Sequence, residues 1–269
     1  MQPGEANDSY VAKADLSPVQ LPDCAAGSDM EFPWLSRDGR SIALVGCWAR
    51  GSTDDDGEYS VVVIRSGTER EIRFPASVVS WVGSSGRIVL GDNEGNVAVA
   101  DTTQSAPPKM LAKVKGEIHS LDVDPAGRWV ALVHGGSENY QSNVFAPRGA
   151  SVSIISIADG KTSDVNVAGD PSAVAWAPDG SSLAVENPKK WLLVDRQSAE
   201  TTAEVVRPNK GGRPCFLAGI TVRGILGWCS ADGEIVTVRE NGQPQVLAKP
   251  EGVRPFAGSV SVAVDNVKQ

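Results

Sequence analysis

Ser172-Ala173-Val174-Ala175-Trp176-Ala177-Pro178-Asp179-Gly180-Ser181-Ser182-Leu183-Ala184-Val185 reads as a strand, a tight turn and a second strand. Val174 and Trp176 alternate with small residues before the turn. Pro178 fixes φ, Asp179 can bond its own backbone, and Gly180 is free to take a positive φ. Leu183 and Val185 then resume an apolar, β-prone run. The pattern recurs. Phe32–Leu44 carries Trp34, Asp38 and Gly39; Val79–Leu90 carries Trp81 and Gly86; Leu121–Leu132 carries Pro125, Gly127 and Trp129. A degenerate copy, Cys215–Leu226, turns at Gly224. The turn glycines 39, 86, 127, 180 and 224 are spaced by 47, 41, 53 and 44 residues.

A period near 45 residues with four strands per unit is the signature of a β-propeller blade. The W-x-P-D-G-x-x-(I/L)-A pattern resembles the TolB-type and WD40-like propeller repeats of bacteria, and the resemblance runs over nearly the whole chain. It lacks the Gly-His and Trp-Asp dipeptides of eukaryotic WD40 repeats. The resemblance implies a fold and, for the TolB type, work in envelope protein assemblies. It brings no catalytic residue with it, and the extra N-terminal domain of TolB itself is not expected within these residues.

Composition agrees with an all-β chain. Of 269 residues, 41% are apolar, enough for a sizeable core. Short Val/Ile/Ala runs separated by Gly, Pro and Asp dominate. Residues 1–8 read as a disordered lead and 9–269 as a single propeller domain. Five full blades are expected from residue 31 to 248. Two short strands precede them (Ser9–Asp15 and Pro18–Asp23), without partners of their own, and two follow (Val253–Ala257 and Val260–Val264). The expectation is a six-bladed β-propeller whose sixth blade is completed jointly by N- and C-terminal strands, which removes exposed edges around the ring.

Net charge is −8. Non-specific nucleic-acid binding needs an excess of Lys and Arg, so nucleic acid is not an expected partner. A cationic protein partner is compatible with this charge. No apolar stretch reaches 18 residues, so no membrane-inserted helix is expected. The start, Met1-Gln2-Pro3-Gly4-Glu5-Ala6-Asn7-Asp8, is polar and contains no signal peptide; it looks like a mature terminus. Four cysteines form two local pairs: Cys24 with Cys47, and Cys215 with Cys229, which flank the Ile220–Gly224 turn almost symmetrically. Disulfides there imply an oxidising compartment, hence a periplasmic or secreted protein. Four buried free thiols are the alternative.

In each blade the second-to-third-strand loop and the loop to the next blade share one face. Two second-to-third loops are long. Residues 49–58 follow Trp48 and contain Asp54, Asp55 and Asp56; residues 135–150 contain Tyr140, Phe145 and Arg148. The inter-blade segment 207–214 brings Lys210 and Arg213 to the same face. Loops this long are often functional. Aromatics set among Gly, Ser and Asn suit a protein-binding surface, so these nine residues are the candidate partner-binding set. A loop folded back on its blade is the bland alternative.

Other chemistry has less behind it. Asp54-Asp55-Asp56-Gly57 starts like a calcium loop, but the twelfth position is Val63, not Glu. A Ser137–His134–Asp92 triad can be drawn on paper, yet no G-x-S-x-G elbow supports it. Glu117, Asp122 and Glu186 are the nearest metal-ligand candidates in a channel; no C-x-x-C spacing exists, and no cofactor or metal is expected. The tryptophans 34, 81 and 176 read as inter-blade packing. The sequence therefore favours a non-catalytic envelope propeller that binds another protein, with an immunity-type inhibitor as a variant. A metal-dependent channel hydrolase or lyase, or a small-ligand or glycan binder using Trp48 and Tyr140, is the alternative.

Overall fold

The computed structural model describes residues 10–12, 18–20, 32–36, 41–45, 60–65, 68–136, 147–221, 224–229, 231–239 and 242–249. Every regular element among them is a strand. β1 (Tyr10–Ala12) and β2 (Pro18–Gln20) pair antiparallel with each other. Five four-stranded antiparallel sheets follow in chain order. The first contains β3 (Phe32–Leu35), β4 (Ser41–Val45), β5 (Ser60–Arg65) and β6 (Thr68–Arg73). The second contains β7 (Ala76–Trp81), β8 (Arg87–Asp92), β9 (Asn96–Asp101) and β10 (Lys109–Lys113). The third contains β11 (Ile118–Val123), β12 (Trp129–His134), β13 (Ser151–Ser156) and β14 (Thr162–Val165). The fourth contains β15 (Ala173–Trp176), β16 (Ser182–Glu186), β17 (Lys190–Asp195) and β18 (Thr201–Val206). A small hairpin, β19 (Asn209–Lys210) and β20 (Arg213–Pro214), precedes the fifth: β21 (Phe216–Thr221), β22 (Gly224–Cys229), β23 (Glu234–Val238) and β24 (Gln245–Ala248).

The repeated sequence turn is a repeated hydrogen-bond pattern. Ser36 N donates to Ser41 O, Val82 N to Arg87 O, Asp124 N to Trp129 O and Ala177 N to Ser182 O, all at 2.8–2.9 Å. Within the turn, Asp179 Oδ1 accepts from Ser181 N at 2.9 Å, and Gly180 sits at φ 71°. That left-handed conformation is open to Gly at no steric cost. The hairpins therefore begin as the Pro-Asp-Gly chemistry dictates.

The core lies between sheets, not within one. One apolar cluster joins blade one (Ala43, Val61, Val63) to blade two (Val79, Trp81, Leu90). A second joins blades two and three, a third blades three and four, and a fourth blades four and five. First strands pack on first strands: β3 on β7, β7 on β11, β11 on β15 and β15 on β21. The second strands β8, β12, β16 and β22 are buried along nearly their whole length, while the outer strands β10, β14 and β18 are mostly exposed. This is the radial layering of a propeller. Outer edges are blunted by charge in β6, by Lys109, Lys113 and a register shift in β10, and by shortness in β14 and β24.

One expectation changes here. The leading strands have a partner after all, because β1 and β2 form their own two-stranded ladder. Among the described residues no ladder links that pair to another sheet. The closing strands expected at 253–264, and the lead at 1–8, lie outside the described residues.

Blades are also tied by polar side chains. Trp81 Nε1 donates to Trp34 O at 2.9 Å, and Trp176 Nε1 to Asp122 O at 3.1 Å. Ser77 Oγ donates to Ile118 O, and Ser120 Oγ accepts from Val174 N. The inter-blade role expected of Trp81 and Trp176 is thus both apolar and polar.

Candidate binding face

The connections between second and third strands meet the inter-blade connections on one side of the molecule. In blade two, Val114 N donates to Gly95 O at 2.9 Å. At the entry to blade three, Gly135 N donates to Glu117 O at 2.8 Å, and His119 Nε2 also lies 2.8 Å from Gly135 O. Gly149 N donates to Asp170 Oδ1 at 3.0 Å, and Asn187 Nδ2 to Ala168 O at 3.3 Å. Arg207 N donates to Lys189 O at 3.0 Å. Lys210 Nζ closes the series at 2.5 Å from Glu234 Oε2 and 4.0 Å from Asp232 Oδ2. A continuous run of bonded loops therefore crosses blades two to five.

One strand position anchors this run. The last residue of the second strand is buried and chemically special in each of these four blades: Asp92, His134, Glu186 and Cys229. Asp92 accepts from Glu94 N, Asn96 N and Asn96 Nδ2 and so shapes its own turn. His134 contacts Lys115 O at 3.1 Å through Nδ1 and Ser153 Oγ at 2.9 Å through Nε2. Glu186 accepts from Ser172 Oγ at 2.9 Å, Trp191 Nε1 at 3.2 Å and Leu217 N. Arg207 Nη2 lies 3.2 Å from Glu186 Oε1 as an ion pair, not a directed hydrogen bond. Burial pushes the Glu186 carboxyl above its ordinary range, against the pull of Arg207. Burial likewise lowers the Arg207 guanidinium, and Glu186 opposes that. Cys229 is bonded to Cys215, whose own N–H is taken by Pro208 O at 2.8 Å.

No family model matches the chain, and no curated protein does. Among solved structures 1262 chains match, so the architecture is a widespread one and does not select a function by itself. One match is a chain of the structure titled "Crystal Structure of Mitotic Checkpoint Complex". It is 16% identical with a TM-score of 0.59 over 91% of this chain and 72% of that chain. The chain has a WD40-like propeller fold. At this identity the likeness concerns fold alone.

On this propeller, three of the nine expected partner-binding residues are described, and all three lie on the loop face. Arg148 and Arg213 are exposed. Lys210 is instead engaged: its ammonium is raised above the ordinary range by the Glu234 hydrogen bond, and it pins the β19–β20 hairpin onto blade five. Trp48, Asp54, Asp55, Asp56, Tyr140 and Phe145 lie outside the described residues. The cysteine pairing Cys215–Cys229 is present, fully buried, with a Cα–Cα distance of 4.1 Å; Cys24 and Cys47 lie outside the described residues.

The catalytic readings change. His134 faces Ser153 and Lys115 O rather than Asp92, which is committed to its own turn, so the paper triad is not assembled; Ser137 lies outside the described residues. Asp122, offered as a channel ligand, joins three blades: Oδ1 accepts from Ser80 Oγ at 3.2 Å and Oδ2 from Trp176 N at 2.8 Å. Glu186 is consumed at the joint between blades four and five. Among the described residues no three His, Cys, Asp or Glu side chains converge on one point. Sequence reasoning missed Arg207 as the partner of Glu186. The only signal was an Arg directly after a strand, which reads as an ordinary exposed cation.

Proposed function

We propose that the chain is a non-catalytic protein-binding propeller of the bacterial envelope, periplasmic or secreted, that grips a partner protein through its loop face. Neutralising that partner, as an immunity-type protein does, is the most specific form of this reading. The observation that carries it is the cross-tied run of connections from Gly95 to Asp232, which presents exposed Lys115, Arg148, Lys189 and Arg213 on a fixed base. A base fixed before binding lowers the ordering cost of association. Two of the three carboxylates considered as channel ligands, Asp122 and Glu186, are engaged in holding blades together. The Cys215–Cys229 bond supports an oxidising compartment, and the W-x-P-D-G resemblance to TolB-type repeats supports an envelope assembly. The solved neighbour's title names a complex, which fits a propeller that works by association.

Net charge alone suggested a cationic partner. The described arc of the face carries exposed cations, whereas Asp54, Asp55 and Asp56 are expected on its blade-one side. The partner is therefore read by a divided charge pattern rather than by net sign.

The test is capture from an envelope fraction with three baits: wild type, Tyr140→Ala/Phe145→Ala, and Arg148→Glu/Arg213→Glu. The expected result is one stoichiometric protein held by wild type and lost from both variants, whose melting temperatures are unchanged. Equal capture by all three removes this face from the reading. Absence of any specific protein moves the weight to the channel, and metal analysis with a hydrolase screen follows.

A further inference from the structure

Among the described connections between blades, only the one from blade four to blade five folds into a hairpin of its own, β19–β20. Its root compensates for a missing donor. Cys215 N donates to Pro208 O at 2.8 Å, but Pro208 has no N–H to return to Cys215 O. Arg207 Nε takes that place, donating to Cys215 O at 2.6 Å. Arg207 also ties the root to the neighbouring turn of blade four, through its N–H to Lys189 O at 3.0 Å and Nη1 to Asn187 O at 3.4 Å. The disulfide to Cys229 fixes the second leg through Cys215. At the tip, Lys210 pairs with Arg213 across Gly211 and Gly212, which lie at φ 56° and 79°. Positive φ at both central residues is what a type I′ turn requires. A Cβ on Gly211 would lie 3.4 Å from Ala231, whereas one on Gly212 would meet nothing within 4 Å, so the tip stands clear of the body.

The charges on this unit do not balance. Arg207 is matched by Glu186, Lys190 by Glu204, and Lys210 by Glu234 and Asp232, with Lys249 3.9 Å from Glu234 as well. Lys189 and Arg213 are exposed, and among the described residues no anion pairs with either. A chain of net charge −8 therefore presents a local positive excess on a connection clamped by a guanidinium, an ion pair and a disulfide.

We propose that the β19–β20 hairpin is a preformed contact element for an acidic segment of a partner protein. Arg213 takes a carboxylate through the fork of its guanidinium, and Lys189 supplies a second positive charge. This rests on the reading of the loop face as a binding face, and names the group that its described side recognises. A planar guanidinium offers a carboxylate two parallel N–H bonds, which an ammonium cannot. A hairpin held in place before binding leaves little ordering cost to offset that contact. Residues 209–214 contain no aromatic or large aliphatic side chain, so the tip has nothing to bury in a lipid surface.

The probe is a hexaglutamate peptide, with hexalysine as control, titrated into the intact oxidised protein at low salt and followed through amide and arginine Nε NMR signals. Before peptide is added, amide exchange at Lys210 and Arg213 should be slow; fast exchange there overturns the preformed element. The peptide should then shift residues 187–190 and 209–214, and more weakly at high salt. Arg213→Gln/Lys189→Gln, two exposed substitutions, should lower its affinity about tenfold or more. Arg213→Lys, which keeps the charge without the fork, should lose part of it. Shifts confined to other residues, an equal response to hexalysine, or undiminished binding by the double variant overturns the contact. Phosphatidylglycerol vesicles that move the same signals when hexaglutamate does not would assign the hairpin to lipid and also overturn it. In envelope capture, a partner held equally by wild type and by Arg213→Gln/Lys189→Gln strikes the hairpin and leaves the loop-face reading standing. If no bait holds any protein, the loop-face reading falls and this proposal with it.

Discussion

Replacing Arg207 with Met tests whether the blade-four to blade-five joint is held by charge. The Arg207 and Glu186 side chains are 2% and 4% exposed. The substitution removes the 3.2 Å ion pair, the Nε–H bond to Cys215 O at 2.6 Å and the stack over Phe216 at 5.2 Å. Glu186 keeps its bonds from Ser172, Trp191 and Leu217. Stranding one member of a buried pair costs about 3–5 kcal/mol, and three surviving donors put this case near 3 kcal/mol. At about 2 cal/mol/K per residue, a chain of 269 residues then melts about 5 °C lower. The defect depends on pH with a definite sign. Burial already raises the Glu186 carboxyl above 4.5, and without Arg207 that push loses its largest opponent. The native variant then holds a proton that the unfolded chain releases near 4.5, so its stability falls as pH rises through and above that value. Urea unfolding at pH 4.5 and 7 reads both effects. Glu186→Gln/Arg207→Met, which removes the stranded charge, should recover part of the loss. A cost under about 1 kcal/mol at pH 7, or a double variant equal to the sum of the singles, would refute the reasoning.

Other outcomes follow from single contacts. Cys215→Ser/Cys229→Ser opens a link of sequence separation 14 and should lower stability by about 3 kcal/mol, measured by urea unfolding of oxidised protein. A Cβ on Gly227 would lie 2.4 Å from Trp191 Cη2, with Trp191 itself fully buried, so Gly227→Ala should overpack the joint by about 1–3 kcal/mol and shift the tryptophan emission. Asp101, Asp159, Asp179 and Asp195 are held below the ordinary carboxyl range chiefly by side-chain and backbone bonds within their own turns. Their contribution is present above about pH 4 and lost as pH falls through the lower folded values, so Asp179→Asn should flatten the acid limb of a stability profile.

The fold was legible because its signals are local. Pro178-Asp179-Gly180 sets a turn whatever surrounds it, and the same hydrogen-bond frame recurs at residues 36–41, 82–87 and 124–129. Cys215 and Cys229 could be paired from hairpin symmetry alone. The face was legible as topology, since alternating loops of a meander must share a side, and Arg148, Lys210 and Arg213 arrive there. What each side chain does there was not legible. Lys210 and Arg207 look alike in sequence, both cations near the end of an outer strand. One is bonded to Glu234, 24 residues on, and the other is buried against Glu186, 21 residues back. Such partnerships arise between blades, at separations that no local pattern encodes. Asp122 failed as a ligand candidate for the same reason: its partners Ser80 and Trp176 lie 42 and 54 residues away.

The second-strand terminus explains why a propeller with irregular repeats can still hold its connections in place. Apolar contacts between blades set how the sheets stack but do not direct a loop. Direction needs hydrogen bonds or covalent links, and these are strongest where water is excluded. Asp92, His134, Glu186 and Cys229 occupy one structural position and meet that need by four chemistries: a carboxylate capping its own turn, an imidazole spanning two segments, a buried ion pair and a disulfide. The four are not interchangeable: Asp92 is matched to its own turn, and His134, Glu186 and Cys229 are each matched to a partner on a particular other segment. The repeat thus conserves the place of the joint while its chemistry varies. Each blade anchors its own connection at the same place, and the bonds between successive connections join those anchors into one run.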